Sequence, residues 1–439
     1  MIADRDRLAK TPAHEVALAS IEAGIEAATP QHVLRESLIV EDDILTVADS
    51  EYDLEAYDSV VVLGGGKAAD MVARELERTL EGYLDRGLVV STTPVATETV
   101  ETAAGSHPIP DEASLEGARR VFQRAKGLGE GTLVLAPITG GGSALLALPA
   151  GDITLVDLQD ATEQLVESGA SIREINAVRK HCSAIKGGGL ARVAAPATVV
   201  GLLFSDVVGD DPGVIASGPT AVDETTYADA LDILDRYDVG VPAPVRAHLE
   251  AGAAGERAET PAESAALAHV DNHVLADAWT ALEAARDAAR EAGYEPLVVS
   301  SRVRGEATEA ALSQLAIAAE SAATGTPVEP PAVLLSGGET TVSVTGNGDG
   351  GPNLEFALRV AIERPERVVC ASVDTDGEDG GTDIAGAIVD GQTLENPQRG
   401  RAALVENDAL RPLEASDAVI ETGPTGTNVN DLRVFVINE

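Results

Sequence analysis

Five short runs of apolar residues recur along this 439-residue chain, and a turn rich in glycine or in acidic residues begins within three residues of the end of each. The runs cover residues 59–63, 132–136, 197–204, 333–336 and 368–373. Strands that are buried on both faces of a parallel sheet have continuous apolar runs of this kind instead of alternating patterns. Helical patterns lie between several of the runs, so the sequence predicts an α/β fold built on parallel strands.

The length allows two or three domains, because domains commonly span roughly 100–200 residues. Residues 12–29 carry apolar side chains at helical spacing and are predicted to form an amphipathic helix. Residues 250–264 are rich in Ala, Glu, Gly and Pro without a period, which is typical of a loop or linker. We therefore predict one domain over residues 1–250 and a second α/β domain over residues 265–439.

The formal net charge of −42 limits the partners that this chain can have. A surface this acidic repels nucleic acid and anionic lipid, which argues against partners of both kinds. Only five of the 31 basic residues are lysine. A composition rich in acids and poor in lysine is similar to that of proteins from halophilic archaea, and an acidic protein of a mesophile is the alternative.

The sequence also predicts a cytoplasmic protein. Its first residues lack the apolar core of a signal peptide, and its apolar runs are far shorter than the roughly 20 residues that cross a bilayer. Its two cysteines, Cys182 and Cys370, are too few for a disulfide framework or a cysteine-based zinc site.

The turn after the first apolar run, Gly64-Gly65-Gly66-Lys67, is the first candidate for a binding site. In open parallel sheets, ligands bind beyond the carboxyl ends of the strands. Glycines let the backbone approach a ligand, and the amides of a following helix N-terminus favour an anion. The spacing fits neither a Walker A loop nor the dinucleotide fingerprint. A tight turn with a solvated lysine is the alternative, but lysine is so scarce here that Lys67 favours a task that arginine cannot perform.

Two further segments offer amide or positively charged groups. Residues 139–143, Thr-Gly-Gly-Gly-Ser, have successive backbone N–H groups that could form an anion-binding concavity, although close packing of a helix on a strand is an alternative reading. Arg179, Lys180 and His181 lie close in sequence to Lys186. Basic residues clustered in so acidic a chain indicate an anionic ligand. The alternatives are a structural pair between the arginine and a carboxylate and, for His181, a packed histidine.

Carboxylates follow two of the later apolar runs. Asp206 and Asp210 come after residues 197–204, and Asp374 and Asp376 come after residues 368–373. Carboxylates at a strand end suit Mg²⁺ or can accept the proton of a hydroxyl group. Capping of a turn is the alternative for the first pair, and a solvated turn for the second.

Anion-binding loops, scarce lysines and strand-end carboxylates together indicate phosphoryl transfer, which depends mostly on positioning and on neutralising charge. On this reading, the expected nucleotide- and phosphate-binding residues are Gly65, Gly66, Gly141, Gly142, Ser143, Glu339, Thr340, Asn353 and Glu355. The expected metal ligands are Asp206, Asp374 and Asp376.

Seven longer segments resemble one known family. They lie, in order, at residues 105–111 (GSHPIPD), 143–146 (SALL), 176–181 (NAVRKH), 205–212 (SDVVGDDP), 215–220 (IASGPT), 336–341 (SGGETT) and 426–431 (GTNVND). Together they resemble the glycerate 2-kinase family, whose members are sometimes labelled hydroxypyruvate reductase and whose second half is called a MOFRL domain. The resemblance extends from about residue 14 to residue 436.

The resemblance implies two dissimilar α/β domains with the active site in the cleft between them, the N-terminal one Rossmann-like with a mostly parallel sheet. It implies conversion of D-glycerate to 2-phosphoglycerate with ATP and a divalent metal, here Mg²⁺. The family's catalytic lysine corresponds to Lys67, and its conserved aspartates correspond to Asp206 and Asp210. We expect glycerate to bind near Ser106, His107, Arg179 and Lys180, and we expect a homodimer.

One departure from the family concerns residues 350–353. Many relatives carry Gly-Gly-Arg-Asn here, and the arginine is implicated in the site, whereas this chain has Pro352. Either Arg179 or Lys180 supplies the missing charge, or the chain handles its substrate differently. Two alternative functions stay open: a kinase for another small sugar acid, and an NAD(P)H-dependent hydroxypyruvate reductase, which would need a nicotinamide site.

Overall fold

A computed structural model describes residues 1–438 of the chain, which divide into two compact units. The central unit comprises residues 33–205 and 210–275, and the terminal unit comprises residues 1–32, 206–209 and 276–439. The predicted domain limits, 1–250 and 265–439, differ from this division mainly at the N-terminus and stay a prediction.

The chain begins with three helices, α1 (Arg5–Leu8), α2 (Pro12–Ala27) and α3 (Pro30–Ser37). Helix α2 confirms the amphipathic helix predicted over residues 12–29. Its buried face packs against the apolar side chains of the terminal unit's sheet, with Ile21 and Ile25 in one cluster with Leu432 and Val434. Each such side chain contributes roughly 1.5–3 kcal/mol when it leaves water, which is why a helix at the start of the sequence belongs to the unit formed by the end of it.

The central unit contains nine strands. They are β1 (Leu38–Glu41), β2 (Ile44–Val47), β3 (Ser50–Asp53), β4 (Ser59–Gly65), β5 (Leu84–Ser91), β6 (Val100–Ala104), β7 (Thr132–Ile138), β8 (Thr198–Phe204) and β9 (Val270–Ala276). The first three form a small antiparallel sheet, and the others form a six-stranded sheet in the order β6-β5-β4-β7-β8-β9.

Helices cover this larger sheet and extend beside it. They are α4 (Ala69–Thr79), α5 (Glu112–Ala125), α6 (Gly142–Leu145), α7 (Leu155–Glu167), α8 (Ile172–His181), α9 (Gly189–Ala194), α10 (Tyr227–Arg236) and α11 (Ala243–Ala253). The pairs from β6 to β8 are all parallel, which confirms the predicted parallel α/β sheet. The strand order reverses between β4 and β7, and this is the point at which open α/β sheets bind ligands.

The terminal unit has a second six-stranded sheet, in the order β10-β11-β15-β12-β13-β14. Its strands are β10 (Glu295–Val303), β11 (Ala332–Gly338), β12 (Val368–Asp374), β13 (Gly386–Val389), β14 (Val419–Ile420) and β15 (Asp431–Ile437). Its later helices are α12 (Ala278–Glu291), α13 (Ala307–Thr324), α14 (Pro352–Glu363), α15 (Pro397–Val405) and α16 (Leu410–Glu414).

This sheet is mixed, because β15 lies between β11 and β12 and is antiparallel to both. The start of β15 therefore lies at the same edge of the sheet as the carboxyl ends of β11 and β12. Within residues 1–438, the helices are all too short or too polar to cross a membrane.

Candidate active site

The turns after β4 and β7 meet at the switch point of the central sheet, because these two strands are neighbours. The Lys67 amide donates to the Gly140 carbonyl over 2.8 Å, and the Ala68 amide donates to the Thr139 hydroxyl over 3.1 Å. Gly66 has φ +147°, and a Cβ there would lie 2.1 Å from Thr139 Oγ1. Glycine at this position thus lets the two predicted phosphate loops join into one polar surface.

Lys67, His107 and Gly141 converge on this surface. A Cβ placed on Gly141 would lie 3.0 Å from Lys67 Cγ and 3.0 Å from His107 Cδ2. Gly141 also has φ +74°, a conformation that other residues rarely adopt. The backbone of the preceding Ser106 is fixed because its amide donates to Ser114 Oγ over 2.8 Å. The structure therefore brings together residues that the sequence had placed in the catalytic, substrate-binding and phosphate-binding groups.

A chain of side-chain hydrogen bonds extends from the glycine turn. Ser143 Oγ lies 2.8 Å from Ser217 Oγ, and Ser217 Oγ donates to Asn176 Oδ1 over 3.2 Å. Ser217 and its neighbour Ala216 both have left-handed backbone angles, with φ +62° and +50°, which cost energy in residues other than glycine. Sequence reasoning missed Ser217 as a site residue, although it lies inside the quoted 215–220 motif.

Lys186 stabilises the turn at residues 139–143 through hydrogen bonds to backbone carbonyl groups. Its side chain is buried, and Nζ donates to the Ser143 carbonyl over 2.6 Å and to the Leu146 carbonyl over 3.2 Å. It thereby satisfies carbonyl groups at the C-terminal end of α6, which have no partner within the helix. Burial, with a smaller contribution from the charge of Arg179, lowers the pKa of Lys186 to about 7.

Arg179 is a partly buried cation next to Lys186. Within residues 1–438 its guanidinium makes no hydrogen bond or ion pair, and burial lowers its pKa. Lys186 also has no carboxylate partner among these residues, although acidic residues outnumber basic ones by 73 to 31 in this chain. A partly buried guanidinium and a nearby buried amine without a carboxylate partner are unfavourable, and a bound anion would relieve this cost.

Lys180, which was also expected to bind substrate, is paired inside the protein. Its Nζ lies 3.1 Å from Oδ1 of the buried Asp223, which also accepts hydrogen bonds from Thr225 and Thr260. The arginine–carboxylate pair kept as an alternative is not found within residues 1–438, and the ion pair of this segment is made by Lys180 instead. His181 is a packed histidine, whose ring contacts the Ala177 carbonyl and Glu259.

The low pKa of Lys186 predicts a pH dependence of stability. In the unfolded chain this amine has a pKa near 10.5, but in the folded protein it is about 7. Between these values the unfolded chain binds more protons, so the free energy of unfolding rises with pH, at most roughly 1.4 kcal/mol per unit. In urea titrations at pH 7, 8 and 9, the stability difference between the wild type and Lys186→Met should grow with pH. Parallel curves would contradict the prediction, and exposed Lys126→Met is the control.

The second group of predicted site residues lies in the terminal unit, where β10, β11 and β12 end and β15 begins. The Thr340 amide donates to Asp431 Oδ2 over 3.2 Å, and the fully buried Arg433 donates to Thr340 Oγ1 over 2.8 Å and to Asp431. Solvent reaches the Glu339 side chain, but desolvation around its carboxylate, together with the charges of Asp431 and Asp206, raises its pKa to about 7. Glu339 is therefore a carboxyl group that changes charge near neutral pH.

Asn353 and Glu355 hold the first turn of α14 in place. Asn353 Nδ2 donates to Asp431 Oδ1 over 2.6 Å, and Ser372 Oγ donates to Asn353 Oδ1 over 2.6 Å. Asn407 Nδ2 donates to Glu355 Oε1 over 2.9 Å. Both side chains are buried and used within the protein. Pro352 occupies the first position of α14, where proline fits because no backbone donor is needed there.

Of the three predicted metal ligands, Asp374 and Asp376 lie in one turn, and Asp206 lies in another segment of the chain. Burial, followed by the charges of Asp376 and Asp431, raises the pKa of Asp374 well above its ordinary value. The Asp376 amide donates to Asp374 Oδ1 over 3.1 Å, so these two residues are neighbours. Across residues 1–438, histidine, cysteine and carboxylate side chains form no group of three or more that could hold a metal ion. Asp206 belongs to the terminal unit and Asp210 to the central unit.

Comparisons with known proteins agree with this arrangement of motifs. Residues 16–250 match a family described as "Domain of unknown function (DUF4147)", and residues 332–431 match the MOFRL family. The chain is 39% identical to "Glycerate 2-kinase" of Pyrococcus horikoshii over 96% of its own length and 97% of the relative's. It is 37% identical to "D-glycerate 2-kinase" of Thermotoga maritima over 96% of its length and 98% of the relative's.

A protein of Agrobacterium vitis that carries the name of a hydroxypyruvate reductase is 42% identical over 86% of the chain and 87% of its own length. Solved structures agree as well. A crystal structure of a Pyrococcus horikoshii protein superposes with a TM-score of 0.83 at 38% identity, covering 97% of this chain and 98% of the other. The crystal structure of Thermotoga maritima glycerate kinase gives 0.83 at 36% identity, covering 96% and 99%.

Proposed function

The chain belongs to the glycerate 2-kinase family and is a glycerate kinase, and we propose that it transfers the γ-phosphoryl group of ATP, with Mg²⁺, to the 2-hydroxyl group of D-glycerate. The observation that carries the proposal is the convergence of Lys67, His107 and Gly141 where two glycine turns join at the switch point of the central sheet. Amide groups and a lysine in such a place suit a group that transfers with negative charge.

In this proposal Lys67 stabilises the charge that spreads over the phosphoryl oxygens during transfer. The Gly141 amide and the Ser143 hydroxyl group bind phosphate oxygens, and Gly65, Gly66 and Gly142 let the two turns come close to them. The Gly66 and Gly142 amides already donate to the Val90 and Thr139 carbonyls. Asp206 or Asp210 orients the 2-hydroxyl group and accepts its proton. A carboxylate can accept the proton of the hydroxyl group, but its negative charge cannot stabilise the phosphoryl oxygens. Neither aspartate can therefore replace Lys67.

The carboxylate of glycerate binds to Arg179, with Ser106 and His107 beside the rest of the molecule. Arg179 supports this role because it is a partly buried cation without a partner among residues 1–438. A guanidinium offers two parallel N–H groups that match a carboxylate. Lys180 is not assigned to the substrate, since Asp223 already neutralises it.

In the terminal unit, Glu339 and Thr340 contact the nucleotide, whereas Asn353 and Glu355 position the backbone around them. Asp374 and Asp376 fit Mg²⁺, because burial, followed by repulsion from Asp376 and Asp431, raises the pKa of Asp374, and a divalent cation would offset both effects. Mg²⁺ often takes only one or two protein carboxylates together with substrate phosphates. When bound, it would neutralise phosphate charge, and Asp206 is a further candidate ligand.

Two other activities are distinguishable from this one. A kinase for another small sugar acid would use the same groups on a longer substrate. A hydroxypyruvate reductase would need a nicotinamide site, and the turn after β4 lacks the dinucleotide fingerprint. A cytoplasmic location, a homodimer and halophilic adaptation stay predictions.

The test is to incubate the purified protein with D-glycerate, ATP and Mg²⁺ in molar KCl and to identify the product by ³¹P NMR. We expect the 2-phosphoglycerate resonance to grow as ADP forms. Formation of 3-phosphoglycerate would overturn the assignment of the hydroxyl group. Oxidation of NADH or NADPH by hydroxypyruvate, with no ADP formed, would overturn the kinase itself.

A further inference from the structure

Arg304 is an exposed cation at the edge of the terminal sheet where the acidic residues gather. It directly follows β10, and Glu339 directly follows the neighbouring parallel strand β11. Val303 pairs with Gly338 in the register of these strands, and the Glu339 amide donates to the Val303 carbonyl over 3.0 Å. The register therefore places Arg304 beside Glu339.

The Arg304 guanidinium forms a hydrogen bond with one backbone carbonyl group. Its Nη2 donates to the Val208 carbonyl over 2.7 Å. Val208 lies in the short segment 206–209, which groups with the terminal unit although it follows β8 in sequence. Arg304 is thus a tether between this segment and the end of β10.

Charge near the segment also depends on Arg304. The positive charge of Arg304 partly offsets the influence of Asp431 and Asp206 on the Glu339 carboxyl group. Another arginine at this edge, Arg433, is fully buried and bonded to Asp431 and Thr340. Arg304 therefore places an exposed positive charge at the segment that carries Asp206.

We infer that Arg304 is a positioning residue, which fixes the 206–209 segment through the Val208 carbonyl and so holds Asp206 in place for its work on the substrate hydroxyl group. This inference rests on the proposed function. A misplacement of about 1 Å in such a group costs up to roughly a hundredfold in rate.

The kinetic test compares Arg304→Ala with Arg302→Ala, an exposed arginine two residues earlier on β10. We expect Arg304→Ala to lower kcat by roughly tenfold to a hundredfold, with KM values for both substrates changed by about twofold or less. Arg302→Ala should leave both unchanged. Arg304→Lys should recover part of the loss, because one ammonium N–H can reach a single carbonyl group.

A double-mutant cycle shows whether the effect passes through Asp206. In an Asp206→Asn background, measured by single turnover with radiolabelled ATP, Arg304→Ala should lower the rate by about twofold or less, because residues that act as a unit are not additive. Multiplied losses, or an increase in KM for ATP that persists in this background, would mean that Arg304 contacts the nucleotide directly, and would overturn the inference.

Hydrogen exchange gives a readout that needs no substrate. Peptides that contain residues 206–209 should exchange faster in Arg304→Ala than in Arg302→Ala, while peptides from the core of β11 should exchange equally. Equal exchange at 206–209 would overturn the tether even if the enzyme is a kinase. A wild-type protein that makes no 2-phosphoglycerate would overturn the proposed function alone, since the exchange result does not depend on it.

Discussion

Replacing Lys67 by alanine should lower the turnover of glycerate by about a hundredfold to a thousandfold, while the protein stays folded. Lys67 lies in a turn whose backbone is held by the Gly140 carbonyl and the Thr139 hydroxyl group, and these bonds do not involve its side chain. Removing one preorganised donor to transition-state charge commonly costs 10²–10³-fold in rate. Initial rates at saturating ATP and glycerate, with circular dichroism of the folded protein, measure both parts of the prediction.

The control is Lys126→Ala, an exposed lysine at the C-terminal end of α5 in the same unit, which should keep full activity. Lys67→Arg provides a sharper comparison. Little space exists around the side chain, because a Cβ on Gly141 would already touch Lys67 Cγ and His107 Cδ2. The wider guanidinium should therefore recover little of the rate. Near-normal turnover of Lys67→Ala would remove Lys67 from the reaction.

The turn around Lys67 could be predicted because its chemistry and its location are both local in sequence. An apolar strand followed by glycines places the turn at a carboxyl end of the sheet, and the scarcity of lysine makes Lys67 the candidate within it. The meeting of this turn with residues 139–143 needed the strand order, since only the neighbouring positions of β4 and β7 bring the turns together.

The Ser217–Asn176 connection could not be predicted in the same way. It depends on two consecutive left-handed residues, Ala216 and Ser217, whose side chains do not favour that conformation. The tertiary structure imposes the conformation against local preference, so sequence rules point away from it. Strand β15 was missed for a related reason, because its place between β11 and β12 is a property of the whole sheet.

Arg179 and Lys180 show most directly what the sequence could not predict about the cationic cluster. They are adjacent in sequence and were expected to share one task, but successive residues of a helix face different directions. Lys180 meets the buried Asp223, whereas Arg179 lies beside Lys186 without a counter-ion among residues 1–438. The cationic cluster of the sequence is therefore divided in the structure between a stabilising ion pair and a candidate for binding the substrate.

Replacing Arg179 by methionine should raise KM for glycerate by about a hundredfold and leave KM for ATP within about twofold, because a lost bidentate charged contact is worth roughly 3 kcal/mol. The same change should increase the free energy of unfolding by about 1 kcal/mol, since it removes a partly buried charge that has no counter-ion among residues 1–438. Steady-state kinetics and urea denaturation measure the two effects separately.

Two neighbours on α8 provide the comparison that makes this prediction specific. Arg173→Met removes an exposed arginine and should change neither KM nor stability. Lys180→Met should reduce the free energy of unfolding by about 3 kcal/mol, because it leaves the Asp223 carboxylate buried without its cation. If Arg179→Met destabilises the protein as Lys180→Met does, Arg179 serves the fold. If it gains stability while glycerate binding is lost, the protein keeps an unfavourable charge in place for its substrate.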